Sequence, residues 1–524
     1  MSRFSILFEN GIAPDTRTAA EKQRGKNVLA DLQLDRTVAI FCPEAWIREP
    51  FLDVLTLPLS DPADVRFRYR VGGMLSGHPQ LLETLIHIFR RLAQSKQAWD
   101  GDRSHLFAHR RNNPSETTIQ LRNQKDQLAL TGTYLRVAAG CLREVCDALD
   151  AYPDCRAVLM ALYQACRAVW QGKEELFSLC DRMRTHFEEA FRYRLDVSLT
   201  EELCTEGYVF ADFDYAFTAR EKANTEKEKK PGLLGKLFAR DTEREKDNGR
   251  TRTDDGAVVE EGKAIPCGES ALQNKILAIG ETDRLLTALL RAVYDRFSRM
   301  EDELAFYAAI ARITGRLSDR GVSCVVPEIR EPADGTISFA GLYDLLLLAE
   351  SAKVEFVVPN DLSLDGGTHG LLITGENNSG KTVYLRSIGT AVLFAGCGVP
   401  IPAKGAVVSL RGGITTQFAK AEGELVTGNA AGRFEEEVIE VAEMVDSLVP
   451  DALVLLNETF QTTAYAEGAA GMEPILRYIA SRGGTYLFVT HLTALVEALT
   501  GDHAARRAYT TKDPALRYKV IVEE

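Results

Sequence analysis

Apolar residues recur at three- and four-residue steps in several long stretches of the chain. These stretches are residues 78–92, 135–149, 157–169, 274–299 and 300–316. Such spacing places the apolar side chains on one face of an α-helix. Long amphipathic helices bury that face by packing on one another. The pattern therefore predicts a mostly α-helical region over residues 66–339.

Three parts of the chain depart from the helical spacing. Residues 1–65 begin with a strand-like run at 4–8 and continue to a second apolar run at 37–42, which predicts a small mixed segment. Residues 103–124 are polar enough for a loop or an exposed hairpin. Residues 219–262 carry dense charge of both signs and few apolar side chains. Because such a segment has little to bury, we expect it to be a disordered insertion.

The pattern changes to short apolar runs in the last third of the chain. Runs at 370–374, 452–456 and 486–489 each have a strand's length and end in polar residues. Helical stretches separate them, and alternation of this kind favours a parallel sheet covered by helices. We predict an α/β domain with a largely parallel sheet over residues 340–524.

Composition indicates a globular protein of several domains. The chain has 524 residues, 45% of them hydrophobic and 26% charged, which is ordinary for globular proteins. A chain of this length exceeds a single core, so we expect about two to four domains. No apolar run approaches the roughly 18 residues of a membrane span. Ten scattered cysteines without a C-x-x-C pair indicate reduced thiols, so we expect a cytoplasmic protein with no membrane segment.

The strongest local signal is a glycine loop between an apolar strand and a helix. Gly375, Gly380, Lys381 and Thr382 fill the G-x-x-x-x-G-K-[ST] template of a phosphate-binding loop. Lys381 would neutralise the β- and γ-phosphates, and the Thr382 hydroxyl would reach Mg²⁺. A chance glycine turn is the alternative, but strand, loop and helix occur in the required order. The predicted nucleotide contacts are Gly375, Asn377, Asn378, Ser379, Gly380, Lys381, Thr382 and Val383.

This loop lies among three other segments that occur in a characteristic order. The segments are residues 356–364, 384–389 and 395–403, and together with the loop they resemble the ATPase domain of the MutS family of DNA mismatch-repair proteins. The resemblance implies an α/β P-loop ATPase domain of the ABC type, preceded by a helical core and lever. It also implies ATP and Mg²⁺ as cofactors, a homodimer formed through this domain, and Phe356 as a further nucleotide contact.

The same resemblance assigns roles to polar residues that follow two apolar strands. In the family, an Asp holds the metal and the next Glu orients or deprotonates the attacking water; here the pair is Asn457 and Glu458. Glu458 keeps the catalytic role, whereas Asn457 offers the metal a neutral oxygen beside Thr382. His491 is similar to the family's histidine that senses the γ-phosphate. The catalytic candidates are therefore Glu458, His491 and Lys381, and the metal candidates are Thr382 and Asn457.

Two segments depart from the family's pattern. The region at 424–435 resembles the signature that contacts the ATP of the opposite subunit, with Thr427, Gly428 and Asn429 as candidates; an ordinary glycine-rich helix entry is the alternative. Glu376 places a carboxylate in the glycine loop, where it weakens nucleotide binding if it faces the phosphates. The chain also has no room for the family's mismatch-reading domain, so mismatch recognition is not expected.

The net charge of −13 argues against sequence-independent binding of nucleic acid over a broad surface. Such binding draws its affinity from phosphate neutralisation. Local basic patches at 109–114 and 182–187 are candidates for a DNA contact, and a solvated helix face is the alternative for both. The leading hypothesis is a MutS-like ATPase dimer whose ATP cycle moves helical arms on DNA or on a protein. The alternative is a nucleotide-switched dimeric scaffold with little or no turnover.

Overall fold

The computed structural model describes most of the chain outside a few segments. The described residues are 3–12, 18–110, 117–174, 176–178, 191–199, 205–215, 251–252, 258–260, 263–265, 269–418, 430–460, 465–501, 505–511, 513 and 516–523. Within these ranges, no helix combines the length and the apolar character that crossing a membrane requires.

Helices and strands of the described residues are numbered in chain order. The helices are α1 Ala19–Asp31, α2 Leu34–Phe41, α3 Ala45–Leu55, α4 Pro62–Gly77, α5 Pro79–Arg110, α6 Thr117–Asp150, α7 Pro153–Val158, α8 Met160–Trp170, α9 Glu269–Arg296, α10 Met300–Asp319, α11 Leu345–Glu350, α12 Lys381–Cys397, α13 Ala430–Asp446, α14 Tyr465–Ser481 and α15 Thr493–Gly501. The strands are β1 Phe191–Leu199, β2 Thr205–Tyr215, β3 Thr251–Arg252, β4 Val258–Glu260, β5 Lys263–Ile265, β6 Glu328–Arg330, β7 Ile337–Leu342, β8 Asn360–Leu364, β9 Gly370–Thr374, β10 Gly405–Ser409, β11 Ile414–Phe418, β12 Leu453–Asn457, β13 Thr485–Val489, β14 Arg506–Thr510 and β15 Val520–Val522.

The chain forms two compact units. One contains Met1–Phe4 with Glu83–Glu301, and the other contains Ser5–Leu82 with Asp302–Glu524. The second unit therefore includes α1 to α4 and most of α10 in addition to the α/β region. These unit limits differ from the sequence-based boundaries after residues 65 and 339.

The first unit is built around long helices. α9 packs along α6, and α8 packs on the same helix, with Leu85, Leu142 and Leu290 buried in the core. A polar contact lies inside this core, where the Thr131 hydroxyl donates to Asp283 Oδ1 at 2.8 Å. The helical prediction for this region is confirmed along α5, α6, α8 and α9.

Two of the sequence expectations for the first unit are wrong. The helical region does not extend through residues 191–215, where β1 and β2 pair as an antiparallel hairpin. These strands are rich in aromatic and β-branched residues, whose strand preference outweighed the weak helical spacing. The loop expected at 103–124 is also wrong, because α5 continues to Arg110 and α6 begins at Thr117.

The charged insertion falls mainly outside the described residues. Residues 219–250 lie wholly outside them. Further along, β3, β4 and β5 pair in an antiparallel three-stranded sheet, so strands occupy part of the segment that was expected to be disordered up to residue 262. The valines at 258 and 259 supply the strand preference there.

The mixed segment expected at the N-terminus is helical over most of its length. α1, α2 and α3 cover residues 19–55, and the apolar run at 37–42 lies largely in α2, where Val38 and Phe41 are buried. A short apolar run has the same appearance in a buried strand and in a buried helix face. This second apolar run, whose secondary structure the sequence left open, is therefore helical.

Two sheets form the centre of the second unit. The larger has the order β11-β12-β13-β9-β14-β15, in which β15 alone of these six strands is antiparallel to its neighbour. The smaller has the order β6-β10-β7-β8. These sheets confirm the expected α/β region that follows helical segments.

α12 lies against the larger sheet and is buried from Tyr384 to its end. Gly389 permits the close approach, because a Cβ at this position would lie 2.4 Å from Leu455 Cδ1 on β12. On another side, the Arg386 guanidinium donates to both carboxylate oxygens of Asp344, at 2.9 and 2.8 Å. The helix is thus fixed in position behind the loop that precedes it.

Candidate active site

Four neighbouring parallel strands end at one edge of the larger sheet. β9 leads into the glycine loop, residues 375–380, while β12, β13 and β14 end next to Glu458, His491 and Thr510. Pairing of Val489 with both Asn457 and Ile373 aligns these ends. The carboxyl edge of such a sheet is the usual position of a ligand site in α/β proteins. The topology therefore brings together residues that are up to 135 positions apart in the sequence.

The glycine loop requires its glycines. Gly375 has φ of 145°, and a Cβ on it would lie only 2.0 Å from Thr510 Oγ1. Gly380 has φ of 98° and is the N-cap residue of α12, where it has no side chain to accept a capping hydrogen bond. The first amides of α12 therefore point out of the helix N-terminus without a side-chain cap, as a site for an anion requires. Asn378, at φ of 59°, is a residue type that tolerates this conformation.

Hydroxyl groups brace the loop against β14. The Thr510 hydroxyl donates to Ser379 Oγ at 2.7 Å, and the Ser379 hydroxyl donates to the Glu376 carbonyl at 2.7 Å. The Glu376 side chain itself is exposed. Sequence reasoning missed Thr510, since its place beside the loop depends on the strand order and not on a local motif.

The Lys381 side chain bonds to two backbone carbonyl groups of the glycine loop. Its Nζ donates to the carbonyl oxygens of Gly375 at 2.9 Å and Glu376 at 2.7 Å. The residue is only 4% exposed. Burial lowers the pKa of the Lys381 ammonium, and the charge of Glu458 opposes that effect. A buried cation whose described hydrogen bonds go to carbonyl oxygens gains further stabilisation when a phosphate oxygen approaches.

Thr382 and Asn457 form the polar pair expected at a metal site. The Thr382 hydroxyl donates to Asn457 Oδ1 at 3.0 Å, and Asn457 is 9% exposed at the end of β12. No group of three or more His, Cys, Asp or Glu side chains suited to a metal occurs among the described residues. Mg²⁺ commonly uses one or two protein oxygens and completes its shell with water and phosphate. A hydroxyl and an amide oxygen at this spacing fit that requirement.

Glu458 and His491 lie next to each other at this edge. His491 Nε2 is 3.3 Å from Glu458 Oε1, so the N–H form of this nitrogen donates to the carboxylate. The side chains of His491 and Glu458 are 29% and 24% exposed, respectively. The backbone of Glu458 has φ of 58°, and its N–H donates to the Val489 carbonyl at 2.9 Å. The carboxylate is therefore half-buried and oriented, yet still reachable by water.

The candidates outside the glycine loop, α12 and the ends of β12 and β13 are either exposed or undescribed. Phe356 is 69% exposed in a short 3₁₀ turn before β8. Thr427, Gly428 and Asn429 lie outside the described residues. Tyr518 was missed by sequence reasoning although it flanks the loop, where a Cβ on Gly380 would lie 3.5 Å from its Cδ1. No sequence signal marked this tyrosine, because it reaches the loop from the far end of the domain.

Comparison with known proteins supports the resemblance over the same region. Residues 371–513 match the family model described as MutS domain V. An "Endonuclease MutS2" of Gemmatimonas aurantiaca is 31% identical over 248 residues, which cover 45% of this chain and 28% of the relative. A "DNA mismatch repair protein MutS" of Granulibacter bethesdensis is 29% identical over 219 residues, covering 41% and 23%. The aligned part thus spans only about a quarter of the length of these relatives.

Proposed function

Because residues 371–513 belong to the MutS family, we propose that the chain is a P-loop ATPase of the ABC type. The observation that carries this proposal is the convergence of three pairs at one sheet edge. Lys381 contacts the glycine loop, Thr382 contacts Asn457, and Glu458 contacts His491. A phosphate cradle, a magnesium position and a general base are the three parts that phosphoryl transfer to water requires.

Binding would begin with the triphosphate of ATP in the glycine loop. Lys381 would exchange its two carbonyl acceptors for β- and γ-phosphate oxygens, and the first amides of α12 would donate to the same groups. Thr382 and Asn457 would hold Mg²⁺, which supplies charge neutralisation of the phosphates when bound. Asn457 contributes no negative charge, so the metal would depend more on the nucleotide's own phosphates.

Glu458 would act on the attacking water. Its carboxylate is held by His491 at 3.3 Å and lies close enough to Lys381 to affect the pKa of the ammonium. In that position it can orient a water molecule toward the γ-phosphate and accept its proton. His491 keeps the carboxylate in place and would sense the phosphate through its second ring nitrogen.

We expect Asn457→Asp to increase turnover at limiting Mg²⁺. A carboxylate in place of the amide adds a charge next to the metal, and it would lower the Mg²⁺ concentration for half-maximal phosphate release by roughly ten-fold. The measurement is steady-state phosphate release across a Mg²⁺ titration. The double variant Asn457→Asp/Glu458→Gln serves as the control and should stay at background. An unchanged Mg²⁺ requirement would remove Asn457 from the metal site.

We also propose that the protein acts as a dimer of two copies joined through the α/β domain. ATP held between two copies of the α/β domain would drive movement of the long helices, with Thr427, Gly428 and Asn429 contacting the partner's nucleotide. The specific observation favouring the alternative, a nucleotide-switched scaffold with little turnover, is the neutral Asn457 at the metal position. Phosphate release by the unaltered protein, compared with Glu458→Gln, discriminates between the two. Equal rates would favour the scaffold.

DNA is the proposed substrate of the helical arms, since the two relatives described above are named for DNA repair or endonuclease roles. With a net charge of −13, binding should be local and should fall steeply between low and physiological salt. We expect the double substitution of Arg110 and Arg111 by Ala to weaken it further in fluorescence anisotropy. The side chains of both arginines, and residues 182–187, lie outside the described part of the structure. Absence of binding to duplex, branched and single-stranded DNA at low salt would instead favour a protein substrate.

A further inference from the structure

Two of the three residues that follow β12 adopt an unusual backbone. Glu458 has φ of 58° and Phe460 has φ of 60°, both in the left-handed region that disfavours residues with a Cβ. Thr459 between them is 2% exposed, and Phe460 is 5% exposed. Such conformations persist only where the surroundings hold them, and they cluster at functional sites. The turn at 458–460 therefore needs a restraint from neighbouring elements.

α13 supplies that restraint with two carboxylates. Glu437 Oε2 accepts the backbone N–H of Phe460 at 3.1 Å. One turn further along, Glu440 Oε2 accepts a hydrogen bond from Gln417 Nε2 at 3.0 Å. Gln417 in turn accepts the Thr459 hydroxyl through Oε1 at 2.9 Å. Residues three apart on a helix share a face, so both carboxylates hold the same turn.

The contact made by Glu437 is the more direct of the two. It reaches the backbone of the turn itself, whereas Glu440 acts through the Gln417 side chain. Glu437 is half-buried. Burial raises the pKa of its carboxyl, and the hydrogen bond from Phe460 N–H offsets only part of that rise, to which the charge of Glu440 also contributes. A carboxylate acceptor for a backbone N–H is stronger than a neutral one. A partly buried carboxylate placed here, facing a single backbone donor of a strained turn, fits a positioning role.

We infer that Glu437 is a positioning residue, whose hydrogen bond to the Phe460 amide fixes the turn that aims the Glu458 carboxylate. The inference rests on the proposed hydrolysis for its effect on rate. Without the acceptor, the turn relaxes toward negative φ and the Glu458 side chain leaves its position 3.3 Å from His491. The glycine loop has no contact with Glu437 among the described hydrogen bonds, so nucleotide binding is retained.

The experiment compares three single variants of the full chain: Glu437→Ala, Glu437→Gln and the matched control Glu443→Ala, whose glutamate is exposed on the same helix. The readouts are kcat and KM for ATP, ATP-analogue affinity by calorimetry, and hydrogen–deuterium exchange of peptides covering 453–460. Glu437→Ala should lower kcat roughly ten-fold or more, with KM and affinity within about two-fold by the same argument. Exchange at 453–460 should become faster. Glu437→Gln, which keeps an oxygen acceptor, should restore most of the kcat and most of the protection from exchange at 453–460.

Two results would overturn the inference. The first is that Glu437→Ala has the same exchange rate at 453–460 and the same kcat as Glu443→Ala. The second is that Glu437→Ala loses as much ATP affinity as kcat. If the unaltered protein releases no phosphate above Glu458→Gln, the proposed hydrolysis fails by itself. The exchange comparison then still decides whether Glu437 holds the turn, because it does not depend on turnover.

Discussion

Lys381→Ala is expected to abolish ATP binding, or to weaken it by roughly 100-fold or more, because the charge-assisted contacts to the β- and γ-phosphates are lost. Isothermal calorimetry with ATP and Mg²⁺ measures the change. The fold should persist, since Nζ of Lys381 contacts only the carbonyls of Gly375 and Glu376 among the described hydrogen bonds. Circular dichroism verifies that point.

Lys404→Ala is the matched control for this experiment. Lys404 is exposed, directly precedes β10 and takes no part in the glycine loop. Its substitution should leave ATP affinity unchanged. An affinity in Lys381→Ala equal to that of this control would place the nucleotide elsewhere or remove it from the protein altogether.

Glu458→Gln is expected to lower steady-state phosphate release by on the order of 100-fold, the range of a lost general base. The amide keeps the size of the side chain but can neither accept the proton of the attacking water nor carry the charge that faces Lys381. ATP affinity should remain within about three-fold of the original, because the phosphate cradle is intact. The same pair of assays, phosphate release and calorimetry, separates the two effects.

Glu497→Gln on α15 provides the comparison, since Glu497 is exposed and has no part in the proposed site. Turnover in this control should equal that of the unaltered protein. Turnover in Glu458→Gln above about one third of the control would exclude Glu458 as the general base, given the usual size of that contribution.

Local signals predicted the parts of the site that are contiguous in sequence. The template at Gly375, Gly380 and Lys381 fixes a strand, a tight loop and a helix within a few residues, and these appear as β9, the glycine loop and α12. The strands before Glu458 and His491 were visible as apolar runs because both faces of a parallel strand are buried.

Other features depend on distant partners and could not be predicted. Thr510 reaches the glycine loop only because β14 pairs with β9. Glu437 reaches Phe460 only because α13 packs beside β11 and the end of β12. The hairpin of β1 and β2 was not predicted for a related reason, since short apolar stretches fit either period.

The most direct test of the central claim is a crystal structure of Glu458→Gln with ATP and Mg²⁺, in which slow hydrolysis preserves the nucleotide. We predict the triphosphate in the glycine loop, with Lys381 moved from its carbonyl acceptors to the β- and γ-phosphates. Mg²⁺ should lie on Thr382 Oγ1 and near Asn457 Oδ1. A nucleotide bound away from this sheet edge, or Lys381 still on the carbonyls of Gly375 and Glu376 beside bound ATP, would contradict the account.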